Sequence, residues 1–499
     1  MILEIGGNMY LSKSKYCLGV QCKKILWLDK NHPEEREESN NESILENGNE
    51  VGELAKNIFG FHIDVNFSEN LKEMIKDTEK LLKLDKVVIT EASFVYENNF
   101  CSVDILKKDG KTFEIYEVKS ATKVKDINLD DISYQTYILL SLGYNVTKCS
   151  LVHLNGNYVR NGELELDKLF KIEDVTNMVL SKQDDVKNNI KEINEYMNNL
   201  KEKDEVSIKC FEPYKCPYFN YCTGHLNKQN VFNINGLFKK KKIELYKKGI
   251  ITYEDLLNSD ISDKYKDIIK IELGLSEPYI NKDNIKEFLN SLSYPLYFLD
   301  FETFTEPIPK FDGIRPYMQI PFQYSLHYIE KDGGKLLHKE FLAEDGIDPR
   351  RSLAERLTQD IPMNVCTLAY NMSFEKTIIK NLAELYPDLS EHLMNIHDNM
   401  KDLMIPFKDD YYTKNRYGFY SIKYVLPSLF PDDPSLNYQN LEGVHNGGEA
   451  SSSFANMSKL SKENQDKLRD NLLKYCYLDT YAMVKVLEKL KEITEDVEA

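Results

Sequence analysis

Alternating apolar and polar positions predict β-structure in both halves of the chain. In the first half, residues 90–119 alternate in two runs around Asp109-Gly110, which predicts a β-hairpin, and residues 145–153 predict another strand. Strands in the second half are predicted at 296–304, 323–329, 337–342 and 365–370. Helical periodicity is found at 51–59, 131–142, 172–203 and 462–493. The pattern predicts an α/β protein with a mixed sheet in its C-terminal part.

Two stretches without strand patterns divide the chain. Residues 30–50 are almost entirely polar, which predicts a surface loop. Residues 228–285 have short helical patterns and predict a helical, lysine-rich connector. We therefore expect an N-terminal domain at 1–227 and a C-terminal domain at 286–499.

Composition and charge limit the possible partners. A chain of 499 residues that is 42% hydrophobic can bury a large core and form about two to four domains. Its 81 acidic and 64 basic residues give a net charge of −17, so nucleic acid can be attracted only locally. We find no apolar run long enough to span a membrane and no secretory signal, and we expect a soluble, cytoplasmic protein without membrane contact.

The predicted hairpin carries a candidate metal site. With Asp109-Gly110 as the central turn residues, Asp104 pairs with Ile115 and becomes a diagonal neighbour of Glu117. Two carboxylates about 7–8 Å apart at the backbone can reach one Mg²⁺ ion. Lys119 shares the face of Glu117, so its ammonium could stabilise a pentavalent phosphorus or help to activate water. The alternative is a solvent-facing hairpin end with a Glu/Lys pair.

Three cysteines recur at intervals of six, and a fourth lies near the N-terminus. Cys210, Cys216 and Cys222 with Cys22 could supply four thiolates to an iron–sulfur cluster. Structural zinc sites usually place two cysteines closer together, so the spacing favours iron, with zinc as the alternative. Cys17 is a rival to Cys22, and buried cysteines without a ligand are a third interpretation.

Another set of acidic residues is spread over three predicted elements of the second half. Asp300 and Glu302 share one face of a strand, where buried carboxylates need a partner such as a cation. Glu375 lies in the first turn of a helix that follows a strand. Tyr475 and Asp479, four residues apart, point from one face of the last helix.

Residues 10–225 resemble the PD-(D/E)XK nuclease superfamily, and within it the RecB-like and CRISPR-associated RecB-like nucleases. The residues that carry the resemblance are Glu53 in Gly-Glu-Leu-Ala-Lys, Asp104, Glu117-Val118-Lys119 and Gln135 on a helix. It implies a restriction-endonuclease-like fold, a metal held by the three acids, a catalytic Lys119 and a DNA contact by Gln135. Members with one early and three late cysteines carry an iron–sulfur cluster, which here implies a 4Fe-4S cluster.

Residues 294–492 resemble the DEDD exonucleases, the DnaQ-like branch of the RNase H fold. The resemblance implies that Asp300, Glu302, Glu375 and Asp479 bind two divalent ions, and that Tyr475 positions or deprotonates the attacking water. The superfamily usually has aspartate at the position of Glu375. Either this helix sits slightly further back, or Asp402 contributes to the site.

The lysine run of the connector is a candidate nucleic-acid contact. Lys239, Lys240, Lys241 and Lys242 concentrate positive charge on an acidic chain, where a phosphate backbone could dock. A solvated helix face is an equally good interpretation.

The order of these regions resembles an uncharacterised family of bacterial and archaeal fused nucleases carried as a domain of unknown function. We therefore predict a metal-dependent DNA nuclease with two sites, one RecB-like and one 3′–5′ exonuclease-like, both using Mg²⁺ or Mn²⁺. Its expected partner is DNA that is single-stranded or has free ends. The alternatives are a nucleic-acid-binding scaffold in which one nuclease domain is inactive, most plausibly the C-terminal one because of Glu375, and an RNA-processing exonuclease.

Overall fold

The computed structural model describes residues 4–5, 8–37, 42–199 and 206–495. The chain forms two compact units: the first contains Met1–Leu226 and Glu306–Tyr317, and the second contains Asn227–Thr305 and Met318–Ala499. Residues 306–317, expected in the C-terminal domain, belong to the first unit, and residues 228–285, expected to form a separate connector, belong to the second unit. None of the helices in the described ranges combines the length and apolarity needed to cross a membrane.

The first unit is built on a mixed sheet. Its strands are β1 (Glu4–Ile5), β2 (Asn8–Met9), β3 (Leu11–Ser12), β4 (Ile63–Asp64), β5 (Lys86–Tyr96), β6 (Asn99–Asp109), β7 (Thr112–Lys119), β8 (Asn145–Leu154) and β9 (Phe170–Asp174). In the described residues the main sheet has the order β4-β5-β6-β7-β8-β9, with β3 beside β6, while β1 pairs with β2 separately. Strands β5, β6 and β7 are antiparallel, and β7 runs parallel to β8.

Helices cover this sheet. They are α1 (Lys13–Gln21), α2 (Lys23–Asn31), α3 (Glu42–Lys56), α4 (Leu71–Leu81), α5 (Asp126–Ser141), α6 (Leu166–Leu169), α7 (Thr176–Ser181), α8 (Gln183–Asn199) and α9 (Phe219–Thr223). Ile132 and Ile138 of α5 lie in one core with Ile115 of β7. Helix α5 therefore packs against the strand that carries the Glu-x-Lys motif.

Two predictions for this unit are wrong in part. The polar stretch 30–50, predicted as a surface loop, contains the start of helix α3, whose Val51 and Ala55 are buried in the core. The helix was missed because only one of its faces is apolar. Residues 38–41 lie outside the described part. The first residues of the helix predicted at 172–203 belong to strand β9, and residues 200–203 of that prediction are outside the described residues.

The hairpin register also differs from the prediction. Asp109 pairs with Thr112, so the central turn residues are Gly110 and Lys111. Gly110 takes a φ of 59°, which glycine adopts without a steric penalty, and this lengthens β6 by one residue. Each residue of β6 therefore pairs with the residue of β7 that lies two positions beyond the predicted one, and this register puts Asp104 level with Glu117 instead of diagonal to it. The backbone N–H of Val118 donates to Asp104 Oδ2 at 2.8 Å.

The second unit contains a second mixed sheet. Its strands are β10 (Tyr279–Ile280), β11 (Leu296–Phe304), β12 (Ile320–Ile329), β13 (Leu336–Leu342), β14 (Cys366–Ala369), β15 (Met400–Asp402) and β16 (Tyr411–Tyr412). The main sheet of the described residues has the order β13-β12-β11-β14-β15, and β10 pairs with β16. Strand β11 is antiparallel to β12 and parallel to β14, which confirms the predicted mixed sheet.

Helices lie on both faces of this sheet. They are α10 (Lys239–Lys247), α11 (Tyr253–Leu257), α12 (Asp263–Leu273), α13 (Lys282–Asn290), α14 (Arg350–Asp360), α15 (Ser373–Leu385), α16 (Ser390–Asp398), α17 (Ile422–Leu429), α18 (Gly447–Ala455) and α19 (Lys462–Thr494). Leu299 and Phe301 pack into one core with side chains of α14, α15 and α16. Because side chains alternate along a strand, Asp300 and Glu302 lie on the opposite face, where α18 and α19 pack against β11.

Candidate functional site

Three carboxylates of the second unit converge. One carboxylate oxygen from each of Asp300, Glu302 and Asp479 lies within 4.8 Å of the other two. Asp300 is half-buried and the other two are buried. We call these three residues the second-unit cluster. They form the single group of this kind that the described residues contain.

Hydrogen bonds between β12 and α19 set the position of Asp479. Next to Asp479, the hydroxyl of Thr480 is 2.6 Å from Ser325 Oγ and 2.7 Å from His327 Nδ1, and all of these polar atoms are buried. Ser325 is paired with Asp300 across the β11–β12 ladder. The strand pair therefore holds the final helix at the level of Asp300.

The second-unit cluster carries excess negative charge. Burial raises the pKa of each of its three carboxyl groups, and the charge of Asp479 adds to the rise for Asp300 and Glu302. No lysine or arginine of the described residues forms an ion pair with them, although the charge of Lys423 lowers their pKa in part. Carboxylate oxygens are the ligands that Mg²⁺ and Mn²⁺ prefer, so these residues fit a divalent cation.

Glu375 faces the same cleft, whereas Asp402 is engaged elsewhere. Glu375 is buried and, among the described residues, its Oε2 has no hydrogen-bond partner; burial raises the pKa of this carboxyl group. Asp402 Oδ1 accepts from the backbone N–H groups of Asn371 and Met404, each at 2.9 Å. Asp402 therefore stabilises the turn before α15, and the geometry favours Glu375 as the fourth acid of the cleft.

A lysine and a second tyrosine, both missed by the sequence analysis, surround Tyr475. Lys423 Nζ donates to Tyr475 Oη at 3.0 Å and lies 5.3 Å from the ring centres of both Tyr475 and Tyr438. Tyr438 donates to Asp479 Oδ1 at 2.7 Å. The sequence offered one signal for Lys423, because it is the one charged residue of helix α17.

The cleft has two lobes that share Asp300 and Asp479. One lobe measures about 480 Å³ and is also lined by Glu302, Glu375 and the first turn of α18. The other measures about 430 Å³ and is lined by residues that include Lys423. A Cβ atom at Gly447 would lie 3.4 Å from Glu302 Oε2, so the first turn of α18 is in contact with the cluster. The two lobes leave space for a ligand on either side of the acids.

The first unit also brings together two of the predicted acids. Lys13 Nζ lies 3.0 Å from Asp104 Oδ1, and 2.9 and 3.1 Å from the two oxygens of Glu117. We call Asp104 and Glu117 the first-unit pair. Lys13, which the sequence analysis did not single out, thus lies where it predicted a metal ion.

Lys119 and Gln135 hold Glu117 from its other side. Lys119 Nζ donates to Glu117 Oε1 at 2.6 Å and also contacts Asp131. Gln135 Nε2 donates to Glu117 Oε2 at 2.6 Å and to Asp131 Oδ1 at 3.1 Å. Gln135 is fully buried, so it orients Glu117 rather than facing a ligand, contrary to the expected DNA contact.

Glu53 is not brought to the first-unit pair. Its side chain is 72% exposed and its Oε1 accepts from Lys56 at 2.6 Å. Within the described ranges, Glu53 belongs to no group of side chains whose ligand atoms lie close enough together to hold one metal ion. Glu91 occupies the position opposite Asp104 on β5, and burial followed by the charge of Asp104 raises its pKa to about 7. Glu91 is a nearby acid that the sequence analysis missed.

Three of the four predicted cysteines are neighbours. Burial raises the pKa of Cys216 to about 11, and the charges of Cys210 and Cys222 contribute to this shift. The end of α1 contacts the same loop, because Gln21 Nε2 donates to the carbonyl groups of Lys209 and Tyr214 at 2.8 and 2.7 Å. This contact brings the neighbouring Cys22 towards the loop.

Cys17 faces a different region. Burial raises its pKa, and the charged groups that affect it include Asp131 and Lys119 of the region around Glu117. The arrangement favours Cys22 over Cys17 as the companion of the three late cysteines.

The predicted lysine patch is partly neutralised. Lys241 pairs with Asp260 at 3.0 Å, and Lys242 donates to the carbonyl group of Phe232 at 2.8 Å, where burial lowers its pKa to about 8. Lys239 and Lys240 are exposed. The prediction that all four lysines face a phosphate backbone therefore needs correction for Lys241 and Lys242, whose ammonium groups are engaged within the protein.

Comparisons with known proteins identify one region. No curated protein and no solved structure matches the chain. A family model described as "Domain of unknown function (DUF2779)" matches residues 297–421. This stretch includes Asp300, Glu302 and Glu375 but ends before Tyr475 and Asp479. Residues 297–421 thus match an uncharacterised family, a domain of unknown function.

Proposed function

We propose that the second unit is a metal-dependent phosphodiesterase that trims nucleic acid, with DNA as substrate, in the manner of an RNase H-like DEDD exonuclease. The observation that carries the proposal is the convergence of Asp300, Glu302 and Asp479, whose oxygens lie within 4.8 Å of one another beside a two-lobed cleft. Like-charged buried groups are costly unless a cation compensates them. Glu375 completes the set of acids.

The residues of the cleft have distinct tasks in this proposal. Mg²⁺ or Mn²⁺, held by the second-unit cluster with Glu375, would acidify water and neutralise charge on the phosphate. Burial and the nearby carboxylates raise the pKa of Tyr475, so its hydroxyl stays protonated and orients water as a hydrogen-bond donor. Lys423 fixes this hydroxyl by donating to its oxygen and supplies positive charge next to the acids.

We further propose a second, RecB-like nuclease site in the first unit. Asp104 and Glu117 both bind the ammonium group of Lys13, so their oxygens are placed to bind one cation together. Lys119 would contact the phosphate or the attacking water. Cys22, Cys210, Cys216 and Cys222 would hold an iron–sulfur cluster, with zinc as the alternative.

A second candidate function follows from Lys13. Because its ammonium group lies between Asp104 and Glu117, the first unit could bind nucleic acid as a scaffold while only the second unit hydrolyses it. This version assigns the inactive site to the first unit instead of the C-terminal one.

Hydrolysis of end-labelled polymers tests both versions. Single- and double-stranded DNA and RNA are incubated with Mg²⁺ or Mn²⁺ and the wild type, Asp300→Asn, Glu117→Gln or Asp466→Asn. Asp466 is an exposed residue of the same helix as Asp479 and serves as the control. We expect Asp300→Asn to stop end trimming and Asp466→Asn to leave it unchanged. Loss of part of the hydrolysis in Glu117→Gln supports two sites, and activity that Glu117→Gln leaves unchanged on every polymer assigns hydrolysis to the second unit alone. A wild type inactive on every polymer contradicts the proposal.

Metal analysis tests the cysteine group. Anaerobically purified protein should be brown and contain iron, and Cys216→Ser should lose both properties. Cys366→Ser, a buried cysteine on β14, is the control. Colourless protein loaded with zinc would contradict the cluster.

A further inference from the structure

Lys13 supplies one of two hydrogen bonds to each oxygen of Glu117. Oε1 accepts from Lys13 and Lys119 at 2.9 and 2.6 Å, and Oε2 accepts from Lys13 and Gln135 at 3.1 and 2.6 Å. The same ammonium group reaches Asp104 Oδ1 at 3.0 Å. A divalent cation bound to oxygens of both acids cannot share this position with the ammonium group.

The backbone around Lys13 is held in place. Leu11 and Ser12 form strand β3 beside β6, and the hydroxyl of Tyr134 donates to the carbonyl oxygen of Leu11. Lys13 is the first residue of α1, where the helix dipole makes a positive charge unfavourable. Asp104 and Glu117 offset this cost, so the position of Lys13 is explained by its ion pairs with the two acids and not by its own helix.

The side chain of Lys13 can leave the pair as a cation. It is 26% exposed and has a flexible four-carbon stem, so a path to solvent exists. Burial lowers its pKa, but the charges of Asp104 and Glu117 outweigh burial and raise the pKa above the usual value. Lys13 supplies one of the two positive charges next to the first-unit pair, and Lys119, which also pairs with Asp131, supplies the other.

We propose that Lys13 is an internal counter-ion that occupies the divalent-cation position of the first-unit pair, so that Mg²⁺ or Mn²⁺ binds there only when the Lys13 side chain moves out. The inference rests on the proposed metal site of the first unit. Lys13 lowers the apparent affinity for the cation, because only the fraction of molecules with the lysine displaced is competent to bind.

Mn²⁺ binding without nucleic acid tests this proposal. The parent protein is the full chain with Asp300→Asn and Asp479→Asn, which removes the second-unit cluster from the measurement. Electron paramagnetic resonance reports free Mn²⁺ for the parent, for Lys13→Met and for Lys23→Met. Lys23 pairs with Glu192 on the surface and is the matched control. We expect Lys13→Met to bind Mn²⁺ about tenfold more tightly than the parent, and Lys23→Met to equal the parent.

Two further measurements separate this role from a structural one. Adding Asp104→Asn to Lys13→Met should abolish the gain in affinity. In chelator, Lys13→Met should melt at a lower temperature than the parent, and Mg²⁺ should restore this loss because it replaces the missing positive charge. Unchanged or weaker Mn²⁺ binding by Lys13→Met, or a thermal loss that Mg²⁺ does not restore, overturns the proposal. Failure of the nuclease proposal would instead appear as absent hydrolysis, which this assay does not measure.

Discussion

The two units solve the same electrostatic problem in different ways. In the first unit, Asp104 and Glu117 are compensated by the ammonium groups of Lys13 and Lys119. In the second unit, Asp300 and Asp479 lie together without an ion pair among the described residues, and burial raises their pKa. A compensated pair is stable without metal, whereas an uncompensated cluster stores repulsion that a cation can relieve.

This difference separates stability from function. Buried carboxylates that repel each other lower the stability of the metal-free protein, so their grouping is better explained by a ligand than by folding. Carboxylates that are already paired contribute to the fold, and a ligand must compete with their partners. The two units should therefore respond oppositely to the loss of one acid.

The largest expected effect is on hydrolysis by the second unit. Asp479→Asn keeps the size of the side chain and an oxygen that accepts from Tyr438, but removes one negative charge from the cluster. We expect the rate of end trimming to fall by about 10³-fold, since metal-bound charge stabilisation contributes several kcal/mol. The rate with labelled single-stranded DNA measures this. A variant within threefold of wild type would contradict the metal-binding role of Asp479.

The next effect is a difference in the sign of the stability change. In chelator, Asp300→Asn should raise the melting temperature because it removes a repelling charge, and Asp104→Asn should lower it because Lys13 loses a partner. Each change should correspond to about 1–3 kcal/mol. Calorimetry of the two variants in the same buffer measures both. If both variants changed the melting temperature in the same direction, the charges of the two sets of acids would not differ in how far they are compensated.

The pH dependence of stability should reflect carboxyl groups with raised pKa values in both units. Burial raises the pKa of Glu302 to about 8, and the charge of Asp479 adds to the rise. The folded protein therefore keeps a proton that the unfolded chain loses near pH 4.5, and metal-free stability falls as pH rises from about 4.5 to 8. Glu91 of the first unit contributes in the same direction, because its pKa is also raised, to about 7.

Glu302→Gln isolates the contribution of the second unit. In chelator, we expect this variant to flatten the loss of stability between pH 5 and 8, by at most about 1.4 kcal/mol per pH unit for one proton. Excess Mg²⁺ should flatten it in the wild type as well. A wild type whose melting temperature is constant from pH 5 to 8 in chelator would argue against raised pKa values in the cleft.

Local patterns predicted the elements of the second unit well. The strand predicted at 296–304 is found with the same bounds, because alternation of large apolar side chains with acids marks both of its faces. The final helix is confirmed over Lys462–Thr494 by its long periodicity. The strand pattern placed Asp300 and Glu302 on one face, whereas the approach of Asp479 to them was expected only from the resemblance to the DEDD exonucleases.

The partners in the first unit could not be predicted in the same way. Lys13 is 91 residues from Asp104 and 104 from Glu117, and no local pattern relates positions so far apart. The hairpin register was wrong by two because the sequence does not show which turn position Gly110 takes. The role expected of Glu53 came from resemblance, and a helix has several faces on which such a residue can lie.

The smallest expected effect concerns Glu53. Its carboxylate is 72% exposed and pairs with Lys56 three residues later, a type of contact that contributes about 0–1 kcal/mol. Glu53→Gln should therefore change the melting temperature little and leave Mn²⁺ binding by the first unit unchanged, whereas Glu91→Gln, opposite Asp104, should weaken it. Titration of both variants with Mn²⁺ in the Asp300→Asn, Asp479→Asn protein makes the comparison direct. Weaker binding by Glu53→Gln alone would mean that α3 approaches the first-unit pair when the metal binds, so that compensation in that unit extends beyond the residues now in contact.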